Sequence, residues 1–281
     1  MTRRLVPLAF LAVLLAGCGG GGSSEPDFPT IGAARTFELS GFEPARPIQP
    51  GTPTPISFAI RQPDGTPLTR FKSGAGPHTG VHLIFVRDDL GEIIHKHPPV
   101  AADGTIRESV TFPGPGRYRL VVDAYPATGR QPNFQLFHQL RVAGTGKAAP
   151  LPPPSQVVES GGYRFTIRGK PRLEAVQASL LDVDVTDAQG RPAAFKPYFG
   201  ALAHAIFFRA DSLDYFHTHV CAPGATGCTS QLGSAQVTGT SATPGDLELG
   251  VLLPVAGTWR LFVQTKVNGK VLTAPFTLTV S

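Results

Sequence analysis

One strand–turn–strand segment occurs twice in this sequence, and it limits the folds that the chain can adopt. The first copy, VHLIFVRDDLGEIIHKHPPV, spans residues 81–100, and the second, AHAIFFRADSLDYFHTHV, spans residues 203–220. Each copy has an apolar strand, a short acidic turn and a second strand. Each also carries three histidines with the spacing H-x12-H-x-H, so six of the eight histidines lie here: His82, His95, His97, His204, His217 and His219.

Strand geometry predicts that the histidines of each copy converge. Side chains alternate between the two faces of a strand, so His95 and His97 share a face. A hairpin that turns near Asp89 places His82 opposite His97 or, one step off, opposite His95. Directly opposed residues have Cβ atoms about 5 Å apart, so three imidazoles of one hairpin can meet. The same geometry brings His204 close to His217 and His219.

The repeat extends beyond the histidines and indicates two copies of one domain. The turn Pro113-x-x-Gly116-x-Tyr118 has a counterpart in Pro254-x-x-Gly257-x-Trp259. Abundant glycine (32) and proline (28), with only 16% charged residues, favour many short strands and turns. We therefore predict an all-β chain of two tandem immunoglobulin-like β-sandwich domains, residues 30–145 and 156–281, joined by a proline-rich linker at 146–155.

The N-terminus has the pattern of a targeting segment. A basic start is followed by an apolar run that is too short to span a membrane. The sequence Leu15-Ala16-Gly17-Cys18 resembles a bacterial lipobox. The resemblance implies a signal peptide at 1–17, lipidation of Cys18 and a flexible tether at 18–29. We therefore expect an extracytoplasmic lipoprotein that is anchored to a membrane of the bacterial cell envelope.

The remaining cysteines, Cys221 and Cys228, are seven residues apart across a loop that contains glycine and proline. Outside the cytoplasm such a pair is expected to form a disulfide. The alternative is that both are thiolate metal ligands beside His217 and His219.

Two function classes find little support in the sequence. The net charge is +5, but the basic residues are scattered and form no run, so we expect no nucleic-acid partner. There is no nucleophile elbow, no glycine-rich phosphate loop and no C-x-x-C motif, so we predict that the protein is not an enzyme.

The histidine segments also resemble a group of uncharacterised bacterial secreted proteins and lipoproteins. These proteins carry HLIVV-type strands followed by HxHP, as in the HLIFVRDDL and HKHP of the first copy. The second module is similar in ALAHAIFFRADSLDYFHTH and GTWRLFVQ, and the resemblance covers most of residues 55–281. Members are often labelled heavy-metal-binding, which implies that the six histidines are motif residues. The sequence departs from the motif at Val220, where proline is usual.

The spacing of the histidines, together with the coordination chemistry of imidazole, predicts metal binding. Neutral imidazoles suit Zn(II) and Cu(II), and we expect each hairpin to bind one ion. In the first copy, His78 and Asp89 are additional candidate ligands. In the second copy, the additional candidate ligand is Asp211 or Asp214. The alternative is a polar cluster that fixes the hairpin register in a tandem β-sandwich lipoprotein with a structural or protein-binding role. The sequence identifies no protein partner.

Overall fold

The computed structural model describes residues 37–127, 133–225, 228, 231–232 and 235–281. The described residues form strands, turns and bends without a helix. None of them therefore lies in a helix long and apolar enough to cross a membrane. The predicted signal peptide, Cys18 and the tether lie outside the described residues.

The first half is a sandwich of two antiparallel sheets. Its strands are β1 (Glu38–Glu43), β2 (Pro53–Arg61), β3 (Val81–Arg87), β4 (Ile93–Lys96), β5 (Thr105–Thr111), β6 (Gly116–Ala124) and β7 (Phe134–Val142). One sheet has the order β1-β2-β5, and the other has the order β4-β3-β6-β7. The side chains between the two sheets include Phe58, Phe85 and Leu120, all buried in one apolar core.

The second half has the same plan with additional short strands. Its strands are β8 (Val157–Ser160), β9 (Tyr163–Ile167), β10 (Ser179–Asp187), β11 (Phe195–Lys196), β12 (Ala203–Arg209), β13 (Tyr215–Cys221), β14 (Gln231–Leu232), β15 (Ala235–Gln236), β16 (Gly239–Thr240), β17 (Asp246–Val251), β18 (Gly257–Val267) and β19 (Lys270–Val280). One sheet has the order β17-β10-β9-β8. The other contains β13, β12, β18 and β19 in the positions that β4, β3, β6 and β7 have in the first half.

The repeated turns close the two sandwiches in the same way. The Tyr118 hydroxyl donates to the carbonyl of Gly114 at 3.0 Å, and the Trp259 indole donates to the carbonyl of Val255, also at 3.0 Å. Both aromatic side chains are fully buried, so each ring fills a core while its polar atom is satisfied. The predicted all-β, tandem immunoglobulin-like fold is confirmed.

The two sandwiches pack against each other through their histidine-bearing sheets. All six residues from Val81 to Val86 are buried, as are all six from Ala203 to Phe208. One face of each strand faces its own core, and the other contributes to a separate apolar cluster that both halves share. That cluster, here called the interface core, consists of Ile84, Val86, Leu90, Val121, Ile206, Phe208, Leu213 and Phe262.

Polar contacts and a close backbone approach complete this interface. The Arg119 guanidinium donates to the carbonyls of Ser212 and Leu213 at 3.0 and 3.2 Å. At the opposite end, Gly200 has a φ of +79°, and a Cβ there would lie 2.6 Å from the carbonyl oxygen of Ala75. Only glycine therefore permits the loops of the two halves to approach this closely.

Candidate metal centre

The hairpin register determines where the histidines lie. Ile84 pairs with His95 across β3 and β4, a register that brings His82 beside His97, and the rings of these two stack at 3.8 Å. In the second half His204 pairs directly with His219. Of the two registers that the sequence allowed, the first is therefore the one that forms.

The histidines of the two hairpins form one continuous cluster. Ring centroids of His82 and His217 are 5.6 Å apart, and those of His95 and His204 are 4.9 Å apart. The second hairpin supplies one complete three-histidine group, as expected, whereas the other group has His217 of the second half in place of His97. Both hairpins lie in the sheets that face each other. Their histidines point into the interface, next to the interface core, and so meet across it.

An approximate twofold axis relates the two halves of the cluster. The His82–His219 and His97–His204 ring pairs exchange under this symmetry, and both are separated by 6.1 Å with ring planes at 79° and 81°. The cluster is nevertheless not fully symmetric. The His82–His97 rings stack at 3.8 Å, whereas their counterparts His204 and His219 meet edge to face at 4.9 Å.

Two overlapping groups of histidines have the geometry of metal ligands. The first is His82, His95 and His217, which come from both halves, and the second is His204, His217 and His219. Within each group the candidate ligand nitrogens all lie within 4.8 Å of one another. His217 belongs to both groups, so the two are parts of one centre.

Hydrogen bonds fix the tautomers of two rings in this centre. His204 Nε2 lies 2.8 Å from the carbonyl oxygen of Tyr198 and must donate, which leaves the lone pair on Nδ1. His95 Nδ1 lies 3.2 Å from Gln264 Oε1, while the amide nitrogen of Gln264 donates to Thr273. His95 Nδ1 therefore carries a hydrogen, and Nε2 carries the lone pair. Outer acceptors of this kind orient the imidazoles of metal sites.

Several buried ring nitrogens have no hydrogen-bond partner among the described protein groups. They are both nitrogens of His219 and Nδ1 of His217. His82 instead has backbone hydrogen-bond partners at Pro77 and Thr79. Buried polar atoms in proteins are nearly always satisfied, so these nitrogens require an explanation such as a bound ion.

The other predicted ligands have different surroundings. His97 Nε2 faces His95 Nε2 at 3.1 Å, and its ring stacks on Phe199 at 3.9 Å, but it belongs to neither group. Both nitrogens of His78 have partners, the Tyr125 hydroxyl at 3.5 Å and the Cys228 carbonyl at 3.3 Å. His78 thus borders the cluster without offering it a free nitrogen.

Burial keeps the whole cluster uncharged near neutral pH. Desolvation lowers the pKa of His82 to about 3 and that of His204 to about 4. The pKa values of His95, His217 and His219 are lowered well below the usual value for the same reason, with further repulsion between neighbouring rings. Neutral imidazole is the form that binds metal ions.

The acidic residues of the turns do not contribute to the centre. Asp89 pairs with Arg87 at 2.7 Å, and Asp211 and Asp214 pair with Arg209 at 3.3 and 3.9 Å. The expectation that they supply a fourth ligand was wrong because the turn closes one end of each hairpin. The paired histidines lie at the other end, several residues away along both strands.

The cysteines form the predicted disulfide. Cys221 and Cys228 are bonded, with a Cα–Cα distance of 6.1 Å. The alternative in which they act as thiolate ligands was wrong, because both sulfurs are used in this bond. The carbonyl of Cys228 instead contacts His78 from outside the cluster.

Sequence analysis missed one carboxyl group in this region. Asp123 on β6 lies next to His82 on β3, is buried, and accepts from the hydroxyls of Tyr125 and Tyr215 at 3.3 and 3.4 Å. Burial raises the pKa of Asp123 to about 7, against the effect of these hydrogen bonds. An acidic residue inside the apolar strand LVVDAY was the available signal, because such residues are rarely buried without a partner.

Solved structures with similar folds were found at low identity. A tetra-tandem repeat from the extending region of a large adhesion protein is 10% identical, covering 87% of this chain and 50% of that one, with a TM-score of 0.27. Invasin, a bacterial integrin-binding protein, is 12% identical over 85% of this chain and 38% of its own, with a TM-score of 0.22. A two-domain fibronectin type III segment of chicken tenascin is 11% identical over 86% and 98%, with a TM-score of 0.24.

The chain thus spans half the length of the adhesion-protein repeat. No curated protein matches the sequence. A family model matches residues 36–135 and again residues 156–281, one region for each sandwich, and together these regions cover most of the chain. The protein therefore belongs to the family described as Domain of unknown function (DUF8832).

Proposed function

We propose that this protein binds a divalent transition metal, Zn(II) or Cu(II), in the histidine cluster between its two sandwiches. The observation that carries the proposal is the pair of overlapping three-histidine groups, whose ligand nitrogens lie within 4.8 Å of one another. The role we propose is binding, without catalysis.

The chemistry of the cluster supports an ion of this type. Its candidate ligands are imidazoles, which suit Zn(II) and Cu(II) better than Ca(II) or Mg(II). The rings are neutral because burial lowers their pKa values, so a metal does not have to displace a proton at pH 7. An ion bound by His204, His217 and His219 would also satisfy a nitrogen of His219 that lacks a partner in the protein.

Binding at this position would join the two halves of the chain. The group His82, His95 and His217 takes two ligands from the first sandwich and one from the second. An ion that binds only the folded, docked arrangement stabilises it by about 2.7 kcal/mol when its concentration is a hundred times the Kd. We therefore expect Zn(II) to raise the unfolding temperature of the intact chain.

The test is calorimetric titration of Zn(II) into the full chain, purified without a histidine tag. His217→Ala should weaken binding by at least about tenfold, because His217 is shared by both groups. His138→Ala is the matched control, because it also removes an imidazole. His138 packs against Phe42 outside the cluster. Absence of micromolar binding by the wild type, or equal losses in the two variants, would contradict the proposal.

A second candidate is a structural or protein-binding role, which was our alternative from the sequence. The tandem β-sandwich fold fits this role, and hydrogen bonds within the cluster, such as the one that His217 Nε2 can donate to His204 Nδ1 at 3.2 Å, can order the interface without an ion. This candidate predicts that exhaustive treatment with a chelator leaves the unfolding temperature unchanged.

We further propose that the protein is extracytoplasmic and anchored to a membrane through lipid on Cys18. The support is the lipobox resemblance of residues 15–18, together with a disulfide in the folded part of the chain. Cys18→Ser should move the protein from the membrane fraction to the soluble fraction.

A further inference from the structure

Positions 123 and 264 are equivalent in the two halves. Asp123 pairs with His82 across β6 and β3, and Gln264 pairs with His204 across β18 and β12. Each position also lies five residues after the buried aromatic residue of its sandwich, Tyr118 or Trp259. The two halves therefore place a polar side chain at the same point beside the histidine cluster.

Gln264 shows what a side chain at this position can do. Its Oε1 accepts a hydrogen bond from Nδ1 of His95, a residue of the other sandwich, at 3.2 Å. Through this contact the second half sets the tautomer of a histidine in the first half, and His95 Nε2 is left as the ligand atom.

The twofold relation predicts an equivalent hydrogen bond for His217, the counterpart of His95 in the second half. It exchanges His95 with His217 and Gln264 with Asp123, so His217 Nδ1 should donate to Asp123. His217 Nδ1 and Asp123 Oδ1, the two atoms needed for this bond, are both buried, and His217 Nδ1 has no hydrogen-bond partner.

The surroundings of Asp123 already orient it for such a contact. Its other oxygen, Oδ2, accepts from the hydroxyls of Tyr125 and Tyr215. Tyr215 lies two residues before His217 on β13, on the same face of the strand, and their ring centroids are 6.1 Å apart. The side chains of Asn133 and Gln135 also hydrogen-bond to this carboxyl. Asp123 is thus tied to the strand that carries His217.

We infer that Asp123 is the positioning residue of His217, accepting a hydrogen bond from Nδ1–H so that Nε2 is presented to the metal. This inference rests on the proposed metal-binding function. A carboxylate in this position orients the imidazole and increases its basicity, and a neutral amide such as that of Gln264 has only the orienting effect.

The assignment also sets the stoichiometry. A neutral imidazole protonated on Nδ1 has a single lone pair, on Nε2. Because His217 belongs to both ligand groups, the two groups cannot be filled together, and the centre holds one ion per chain. This differs from the two ions expected when each hairpin was treated as a separate site.

The experiment combines a tautomer measurement with Zn(II) affinity, both on the full chain. In the Zn(II)-loaded wild type labelled with ¹⁵N-histidine, the ring signals of His217, assigned by their loss in His217→Gln, should show protonation at Nδ1. In the metal-free chain Nε2–H of His217 can instead donate to the lone pair of His204 Nδ1 at 3.2 Å. Asp123→Leu removes the acceptor and should weaken Zn(II) binding by about 10- to 100-fold, and Asp123→Asn should restore part of that loss. Asp182→Leu is the control, because it removes a carboxylate on β10 that pairs with Arg168 outside the cluster.

The tautomer and the Zn(II) affinity together distinguish a failure of this inference from a failure of the proposed function. Zn(II) binding of wild-type strength in both Asp123 variants, or a His217 ring protonated at Nε2, would overturn the inference and leave metal binding standing. If the wild type does not bind Zn(II), the proposed function fails. The tautomer of His217 in the Zn(II)-loaded wild type tests the inference without relying on any variant to fold.

Discussion

The two sandwiches share a frame but differ in the polar groups that they direct at each other. Arg119 and Arg260 have equivalent positions after the buried aromatic residue. Arg119 crosses the interface to two carbonyls, whereas Arg260 donates to Thr277 within its own half, and its Nε is buried without a partner. The two arginines thus occupy equivalent positions but make different hydrogen bonds.

The difference extends to the histidine cluster. Gly200 occupies the place in the second half that His78 has in the first, four residues before the first histidine of the motif. Gly200 permits the close approach of Ala75, whereas both ring nitrogens of His78 have hydrogen-bond partners. The repeat therefore determines where the cluster forms, and the residues that differ between the two halves determine the contacts of each ring.

The largest expected effect is acid destabilisation, which should affect both halves alike. The folded-state pKa values of His82 and His204, about 3 and about 4, are below the unfolded value of about 6.5. Below pH 6.5 the unfolded chain binds protons that the folded chain excludes. Each such histidine then lowers the metal-free stability by about 1.4 kcal/mol per pH unit until its folded pKa is reached.

Urea unfolding at pH 7.5, 6.5 and 5.5 measures this loss. His82→Gln and His204→Gln, which exchange under the twofold relation, should each reduce the pH dependence by about one proton. A reduction by only one of them would mean that the halves are not equivalent in burial.

The next effect concerns the interface core, where the twofold-related side chains differ in size. Phe208 and Val86 are both fully buried there. Phe208→Ala should cost about 3–5 kcal/mol of unfolding free energy, and Val86→Ala about 1.5–3. The control is Phe137→Ala, because this aromatic ring is 54% exposed, and its loss should change stability by only about 0.5 kcal/mol. Equal effects of Phe208→Ala and Phe137→Ala would show that the sandwiches do not dock in solution.

The smallest effect separates the two arginines. Arg119→Met removes two charged hydrogen bonds across the interface and should destabilise the chain by about 1–3 kcal/mol. Arg260→Met should stay within about 1 kcal/mol of the wild type, because the lost bond to Thr277 is offset by removal of a buried, unpartnered Nε–H. Thermal unfolding of both variants gives the comparison, and a larger loss for Arg260→Met would reverse it.

Much of each half could be predicted from the sequence, because the governing interactions are local. Alternation along β3 and β12, the acidic turns and the spacing of His95 and His97 determine the hairpin registers. The Pro-x-x-Gly turns and the cysteine pair likewise depend on neighbours within a few residues.

The meeting of the two halves was not predicted, although part of its signal was present. The strands VHLIFV and AHAIFF are apolar on both faces, a pattern typical of a strand that is covered on both sides. The pattern does not identify what covers the second face, because face-to-face packing leaves no sequence spacing of its own. The contacts that Asp123 and Gln264 make across the interface could therefore not be predicted from the sequence.

The approximate twofold axis has a consequence for how such a chain can be built. Contacts that exchange under a twofold rotation are those of a self-complementary surface, as in a symmetric homodimer. One sandwich with one histidine trio would therefore carry, in a single sequence, everything needed to form this cluster with a second copy of itself. Joining the copies through the linker at 146–155 replaces subunit association by an intramolecular encounter at high effective concentration. Because the two halves then have separate sequences, a residue can change in one half and not in the other, as at Asp123 and Gln264.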